Sequence, residues 1–300
     1  MKIVFMGSPE FAIPSLEKLL NTKHSIELVV TAPDKERGRG KKVLPTPVKE
    51  FAIAKGLNVL SPASLKDENF IHQLKEINAD LFIVVAFRIL PKEIYTLPSK
   101  GAFNLHASLL PKYRGAAPIQ WALINGEKET GVTTFFIEEK VDTGNIILQE
   151  KIEINDDDDY GSLHNKLMII GADAVIKTLE LIEKGNYQLI KQDESLSTPA
   201  PKITKEICKI DWSKSAIEIH NLVRGLSPSP CAFFERNGKI FKVFKTKVVD
   251  NLNLEQGKIY QTKNEIFIGT SKGTIQILEL QMEGRKRMRA DEFLRGYNLN

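Results

Sequence analysis

The sequence predicts an α/β chain: a doubly wound, mostly parallel sheet, followed by a small C-terminal β-barrel. Three observations carry this. Up to residue 105, short β-branched apolar runs alternate with amphipathic stretches, the pattern of βαβ units whose helices cover both faces of a parallel sheet. The alternation breaks after Gly131, where two extended runs follow each other closely enough to pair directly. Beyond residue 230, short strands come in quick succession with turn residues between them, which suits a small closed sheet.

Each element has a local cause. Residues 2–6 form a first strand, Gly7-Ser8-Pro9 turns the chain, and Phe11, Ala12, Leu16, Leu19 and Leu20 give the next helix its apolar stripe. The run at 26–31 is almost wholly apolar, as a strand buried on both faces requires. Further strands follow at 57–60, 81–86 and 102–105, and those at 132–137 and 146–154 are expected to be neighbours. The acidic run 156–159 would read as a metal site in isolation, but it is better placed to cap a helix starting near Ser162, because carboxylates favour the positive end of the helix dipole. Gly185 ends that helix. Ser215 and Glu218 form a capping box for a helix that stops near Gly225, and Asn237-Gly238 suits a type I′ hairpin turn.

The 300 residues are 42% hydrophobic and 27% charged, too apolar for a disordered chain and long enough for two domains. A first domain is expected over 1–190, a linker without periodicity over 191–207, and the barrel, of an oligonucleotide-binding (OB-like) type, over 208–300. No apolar run approaches the ~20 residues that cross a bilayer, and residues 1–6 are too short for a signal-peptide core. Cys208 and Cys231 form no C-x-x-C pair and are expected to be reduced, in a cytoplasmic protein. The net charge of +4 is unevenly spread: residues 208–300 carry 16 basic against 10 acidic side chains, which raises the prospect of a polyanionic partner.

Two places bear on chemistry. The first strand-to-helix turn lacks G-x-G-x-x-G, and Pro9 removes an amide donor, so a dinucleotide such as NAD is disfavoured. Asn104 and His106 stand two apart at the end of a strand and therefore share a face, at the carboxyl edge where open α/β sheets bind ligands. Such a pair serves either a site or a structural hydrogen-bond cluster. Asp142, in the turn Val141-Asp142-Thr143-Gly144, is the third candidate, although Asp in a tight turn often serves only its own backbone.

The segments Asn104-Leu105-His106, Ser108-Leu109-Leu110-Pro111-Lys112-Tyr113-Arg114-Gly115 and Asp142-Thr143-Gly144 resemble the 10-formyltetrahydrofolate-dependent formyltransferases. The likeness runs from end to end towards members that act on methionyl-tRNA: Met-Gly-Ser-Pro-Glu-Phe at 6–11, Pro-Asp-x-x-x-Gly-Arg-Gly-Lys-Lys at 33–42, Gly-Ala-Ala-Pro-Ile-Gln at 115–120 and Ile-Asp-Trp-Ser at 210–213. The resemblance implies a Rossmann-like catalytic domain, a catalytic set of Asn104, His106 and Asp142, and a folate site lined by Ser108, Leu109, Leu110 and Pro111 with a cis bond before Pro111. It implies 10-formyltetrahydrofolate as donor, with initiator methionyl-tRNA as acceptor; no metal and no NAD are expected, and the chain is expected to be a monomer.

Lys35, Arg37, Arg39, Lys41 and Lys42, interleaved with two glycines, are expected to follow tRNA phosphates. The competing acceptor is an amino-sugar nucleotide, whose formyltransferases can share a two-domain layout. Formyltransferases of glycinamide ribonucleotide lack the second domain. One departure from the methionyl-tRNA pattern is Ala86-Phe87-Arg88-Ile89-Leu90-Pro91, where that pattern has a glycine turn and one more residue.

Overall fold

A computed structural model describes residues 1–37 and 42–299. In chain order its elements are β1 (Lys2–Gly7), α1 (Ile13–Leu20), β2 (Ser25–Val30), β3 (Lys35–Arg37), β4 (Lys42–Leu44), α2 (Pro47–Ala54), β5 (Val59–Leu60), α3 (Glu68–Ile77), β6 (Leu81–Val85), α4 (Lys92–Tyr95), β7 (Ala102–His106), β8 (Arg114–Gly115) and α5 (Pro118–Ile124). There follow β9 (Glu129–Phe136), β10 (Ile146–Glu153), α6 (Tyr160–Lys184), β11 (Pro199–Ala200), α7 (Ala216–Leu226), β12 (Ala232–Arg236), β13 (Lys239–Val249), β14 (Ile259–Gln261), β15 (Ile266–Gly269), β16 (Thr274–Met282), β17 (Met288–Arg289) and α8 (Ala290–Leu294). No described helix is long and apolar enough to cross a membrane.

The main sheet has the order β10-β9-β7-β6-β1-β2-β5. β1 pairs parallel with β2 and β6, β2 with β5 and β6 with β7, whereas β9 runs antiparallel to β7. From β1 the chain winds outward to β5, then returns to β6 and winds the other way. That reversal makes the sheet doubly wound and places the carboxyl ends of β1, β6 and β7 along one edge. β6 is buried along its whole length, which explains its unbroken apolar run Leu81–Val85. One face of the sheet packs Val4, Met6, Val30, Phe82 and Val84 against Phe70 and Leu74 of α3.

The start of α6 is held as the acidic run suggested: Asp159 Oδ1 accepts from the Ser162 amide at 2.8 Å, and Asp158 Oδ1 accepts from the Ser162 hydroxyl at 2.7 Å. Gly185, at φ +65°, closes its end.

The C-terminal strands form one antiparallel sheet of order β12-β13-β16-β15-β14, with β17 on β16. It is curled as an open half-barrel. Phe234, Phe241, Val243, Ile266, Ile275, Ile277, Leu280 and Phe293 form its core together with Ile219, Val223 and Leu226 of α7. The capping box at Ser215 and Glu218 is present, and Asn237 and Gly238 have φ of 50° and 71°, as a type I′ turn requires.

The chain divides into two compact units, neither of which is continuous. One comprises Met1–Gly115, Thr130–Ile152 and His164–Pro199; the other comprises Ala116–Glu129, Glu153–Leu163 and Ala200–Asn300. This differs from a cut at 190 with a linker to 207. The cause is side-chain packing: Ile124 of α5 lies against the C-terminal core, and Arg224 donates to the Asn155 carbonyl. The stretch 191–199 belongs to the first unit.

Candidate active site

Asn104 and His106 occupy alternate positions at the end of β7, between Val84 of β6 and Phe135 and Thr133 of β9. His106 is buried and held from one side by main chain: Nε2 lies 2.8 Å from the carbonyl oxygen of Tyr113. A carbonyl only accepts, so Nε2 carries the proton of that bond. The other ring nitrogen, Nδ1, faces Asp142 Oδ2 at 3.8 Å. The same carboxylate oxygen accepts the Gly115 amide at 2.8 Å. The structure thus brings together His106 and Asp142, with Asn104 on the same face of β7. The Asn104 amide is half-buried and engaged in no side-chain hydrogen bond among the described residues.

The residues facing the two nitrogens of His106 both lie in left-handed backbone, Tyr113 at φ 62° and Asp142 at φ 56°. For a residue with a Cβ this conformation costs roughly 1–2 kcal/mol, so neighbouring contacts must hold it. They do. The Tyr113 amide donates to Thr198 Oγ1 at 2.9 Å, and the Arg114 amide to the Thr198 carbonyl at 2.9 Å. On the Asp142 side, Gln192 Nε2 donates to the carbonyls of Asp142 and Gly144, at 2.9 and 2.8 Å. Gly144 lies so close to β9 that an added Cβ would sit 1.7 Å from the Phe136 carbonyl.

Ser108, Leu109, Leu110 and Pro111 form the loop after β7. Ser108 and Leu110 point inward: the Ser108 hydroxyl donates to the Lys112 carbonyl, and Leu110 packs with Phe135 and Ile146. Thr133 Oγ1 accepts the Leu110 amide and donates to the Ser108 carbonyl, and Gln149 donates to the Leu110 carbonyl. Leu109 and Pro111 are left half-exposed, and the Leu110–Pro111 bond is cis.

Of the basic set, Lys35 is exposed on β3, which pairs with β4 in an antiparallel hairpin. Arg37 and Lys42 are opposite each other in that hairpin, whereas Arg39 and Lys41 lie outside the described residues. The hairpin follows β2 and so leaves the sheet from the same carboxyl edge as Asn104 and His106. Arg88 turns away from the glycine-turn role: its guanidinium donates to the carbonyls of Pro62 and Ala63 at 2.9 and 3.2 Å and lies over Phe87. Burial lowers its pKa from the ordinary value. Ala86 supplies the left-handed residue there, at φ 48°.

Neither cysteine belongs to this cluster. The Cys231 thiol donates to the Val243 carbonyl, and burial pushes its pKa up to about 12; burial also raises that of Cys208.

The chain is similar to known proteins along nearly its whole length. Residues 1–179 match the formyl transferase family model, and residues 202–298 match that of the formyl transferase C-terminal domain. The methionyl-tRNA formyltransferase of Flavobacterium johnsoniae is 48% identical over 99% of this chain and 96% of its own length. That of Caldanaerobacter subterraneus subsp. tengcongensis is 47% identical over 100% and 98%. The chain belongs to the methionyl-tRNA formyltransferase family. Among solved structures, the sugar 3N-formyl transferase WlaRD, determined with dTDP and 5-N-formyl-THF, gives a TM-score of 0.70 at 24% identity over 95% of this chain and 99% of that one. An N-formyltransferase from Helicobacter canadensis, in complex with folinic acid and dTDP-3-aminofucose, gives 0.69 at 23% identity over 96% and 100%. At such identity the likeness establishes the formyltransferase fold alone.

Sequence reasoning missed several parts of this cluster. The Tyr113 carbonyl and the Gly115 amide lie inside the quoted motif, but main-chain groups have no sequence signature. Gln192 and Thr198 fall in the stretch read as linker, and Gln192 meets its partners only across about 50 to 80 residues of chain.

Proposed function

We propose that this chain transfers the formyl group of 10-formyltetrahydrofolate to the amino group of methionine on initiator tRNA. The observation that carries the reading is the convergence of His106 and Asp142 beside the unengaged amide of Asn104, at the carboxyl edge of a doubly wound sheet. Attack of a neutral amine on a formyl carbon develops negative charge on oxygen and positive charge on nitrogen, so a site must meet one and deprotonate the other. Asn104 offers an amide N–H to the oxygen. With Nε2–H committed to Tyr113, His106 joins it as a donor from Nδ1 in the doubly protonated imidazolium form, which the facing Asp142 carboxylate favours, and together they act as an oxyanion hole. Asp142 holds one oxygen on the Gly115 amide and towards His106, leaving Oδ1 to take the proton of the amine, directly or through water, and that proton passes to N10 as the formyl–N10 bond breaks and tetrahydrofolate leaves.

The donor folate lies against Leu109 and Pro111, the half-exposed members of the loop after β7, while Ser108 and Leu110 fix that loop from within. This fits the residues present: the Leu110 amide and the Ser108 and Leu110 carbonyls are spent on β9 and β10, and the loop offers the ligand the apolar side chains of Leu109 and Pro111. Transfer is direct: both cysteines belong to the other compact unit, and burial raises both thiol pKa values.

The acceptor follows from the full-length relatives and from charge. Lys35, Arg37, Arg39, Lys41 and Lys42 track phosphates near the acceptor end, and the basic C-terminal unit adds backbone contacts through Lys242, Lys245 and Lys247, exposed on β13. The chain works as a cytoplasmic monomer. The test offers formyl-tetrahydrofolate with charged initiator tRNA, glycinamide ribonucleotide and an amino-sugar nucleotide in parallel. Formylation of the methionyl-tRNA alone is expected, with Arg39→Ala raising the KM for tRNA and not for folate. Preferential transfer to the sugar nucleotide would replace this reading with the amino-sugar one.

A further inference from the structure

Gln192 is 5% exposed, yet it belongs to no helix or strand and sits in a stretch whose sequence reads as a linker. Its carboxamide uses its full hydrogen-bonding capacity. The two N–H groups go to the carbonyls of Asp142 and Gly144, at 2.9 and 2.8 Å. The oxygen accepts from Arg114 Nε at 3.1 Å and Nη2 at 2.7 Å. Rotating the amide by half a turn would set its N–H groups against the guanidinium and its oxygen against two carbonyls, so the chemistry admits one orientation. Arg114 is itself anchored by a two-pronged contact to Glu194, at 2.8 and 2.9 Å, and that hydrogen bond holds the Glu194 carboxyl below its ordinary range.

These contacts close a ring. Asp142 is gripped at its carbonyl by Gln192, Gln192 by Arg114, and Arg114 is covalently followed by Gly115, whose amide grips the Asp142 carboxylate at 2.8 Å. Main chain and side chain of Asp142 are therefore referenced to the same two consecutive residues. Tyr113, the residue before them, supplies the carbonyl that orients His106. The one dipeptide Arg114-Gly115 thus sets Asp142 relative to His106, and Gln192 is the link without which the left-handed Asp142 turn has no hold on its main chain from this side.

We propose that Gln192, backed by Arg114, is a positioning residue that fixes the Asp142 carboxylate against His106 for the transfer step. The proposal rests on the formyl-transfer reading above. Gln192 touches no reacting atom; it acts through Asp142, and that route has a distinctive consequence. Removing it should slow the chemical step without weakening either substrate, and should cost nothing further once Asp142 is already disabled.

The experiment compares the full-length enzyme with Gln192→Ala, Gln192→Glu, Asp142→Asn and the double variant Gln192→Ala/Asp142→Asn, measuring kcat and both KM values with formyl-tetrahydrofolate and methionyl-tRNA. Gln192→Glu keeps the length and the Arg114 contact but loses both N–H donors, so it isolates the hold on the turn. Each Gln192 single variant is expected to lower kcat roughly 10- to 100-fold, as for a catalytic group displaced by about 1 Å, with both KM values within about twofold. In the Asp142→Asn background, Gln192→Ala should change kcat less than about twofold. Amide hydrogen exchange supplies a readout that does not depend on the reaction: peptides covering 113–116 and 140–145 should exchange faster in both Gln192 variants while the rest of the chain keeps its protection. Wild-type kcat in the variants, or an equal loss in the Asp142→Asn background, would overturn the proposal with the function intact. A parent enzyme that does not formylate methionyl-tRNA overturns the function and the catalytic part of the proposal together, and the exchange data then decide the positioning alone.

Discussion

His106 donates through Nε2 to the carbonyl oxygen of Tyr113 at 2.8 Å, and this one bond decides which face of the imidazole is left for chemistry. Nδ1 is turned towards Asp142 Oδ2 at 3.8 Å, too far for a direct hydrogen bond and close enough for both groups to address the same incoming atoms. The ring therefore serves the formyl oxygen from its Nδ1 side, as a donor in the imidazolium form, with Asn104 as the second donor.

Asn104→Ala removes one of the two donors to the developing oxyanion. Loss of such a donor costs about 3–4 kcal/mol, so kcat should fall by roughly 10²- to 10³-fold. Asn104 is half-buried with no side-chain partner among the described residues, so its thermal unfolding midpoint should stay at the parent value. Steady-state kinetics and a melting curve on the same preparation check both statements. A variant that loses stability in step with activity would make Asn104 a structural residue.

Gly144→Ala tests the turn that carries Asp142. An added Cβ would lie 1.7 Å from the Phe136 carbonyl oxygen and 2.9 Å from its carbon, both main-chain atoms, so the turn itself must move. Overpacking of this kind costs about 1–3 kcal/mol. Urea unfolding should report that loss, and kcat should fall with it because Asp142 lies two residues away; unchanged kinetics would show that the turn can shift without disturbing the carboxylate.

The C-terminal unit has a titrating group of its own. Burial, reinforced by the Arg224 charge and opposed by Asp156, lowers the pKa of His220, whose Nδ1 meets Thr246 Oγ1 at 2.9 Å. The folded chain thus keeps this ring neutral at pH values where the unfolded chain has protonated it. Stability is complete above the ordinary value of 6.5 and is lost as pH falls from there towards the lower folded value. Between pH 7.5 and about 5.5 the parent's unfolding midpoint should fall further than that of His220→Gln; equal falls would remove His220 from the acid response.

How much of this was legible in the sequence depends on the range over which each residue acts. Asn237-Gly238, Ser215 with Glu218, and Asp159 ahead of Ser162 act within four residues, and all three do in the structure what their spacing predicted. The alternation of Asn104 and His106 is equally local. Asp142 was visible as a turn residue, but only the family resemblance gave it a role. Gln192 gave no sign, because its partners are the carbonyls of residues 142 and 144 and a guanidinium at 114, all remote in sequence. The same holds for the units of the chain: residues 116–129 and 153–163 join the C-terminal unit through side-chain packing that no composition shift announces.

The most direct measurement is a single-turnover formylation of methionyl-tRNA by the parent and by His106→Ala, at saturating formyl-tetrahydrofolate. The account predicts that the variant folds and binds folate as the parent does, while the rate of formyl transfer falls by about 10²-fold or more. Transfer at the parental rate would contradict it.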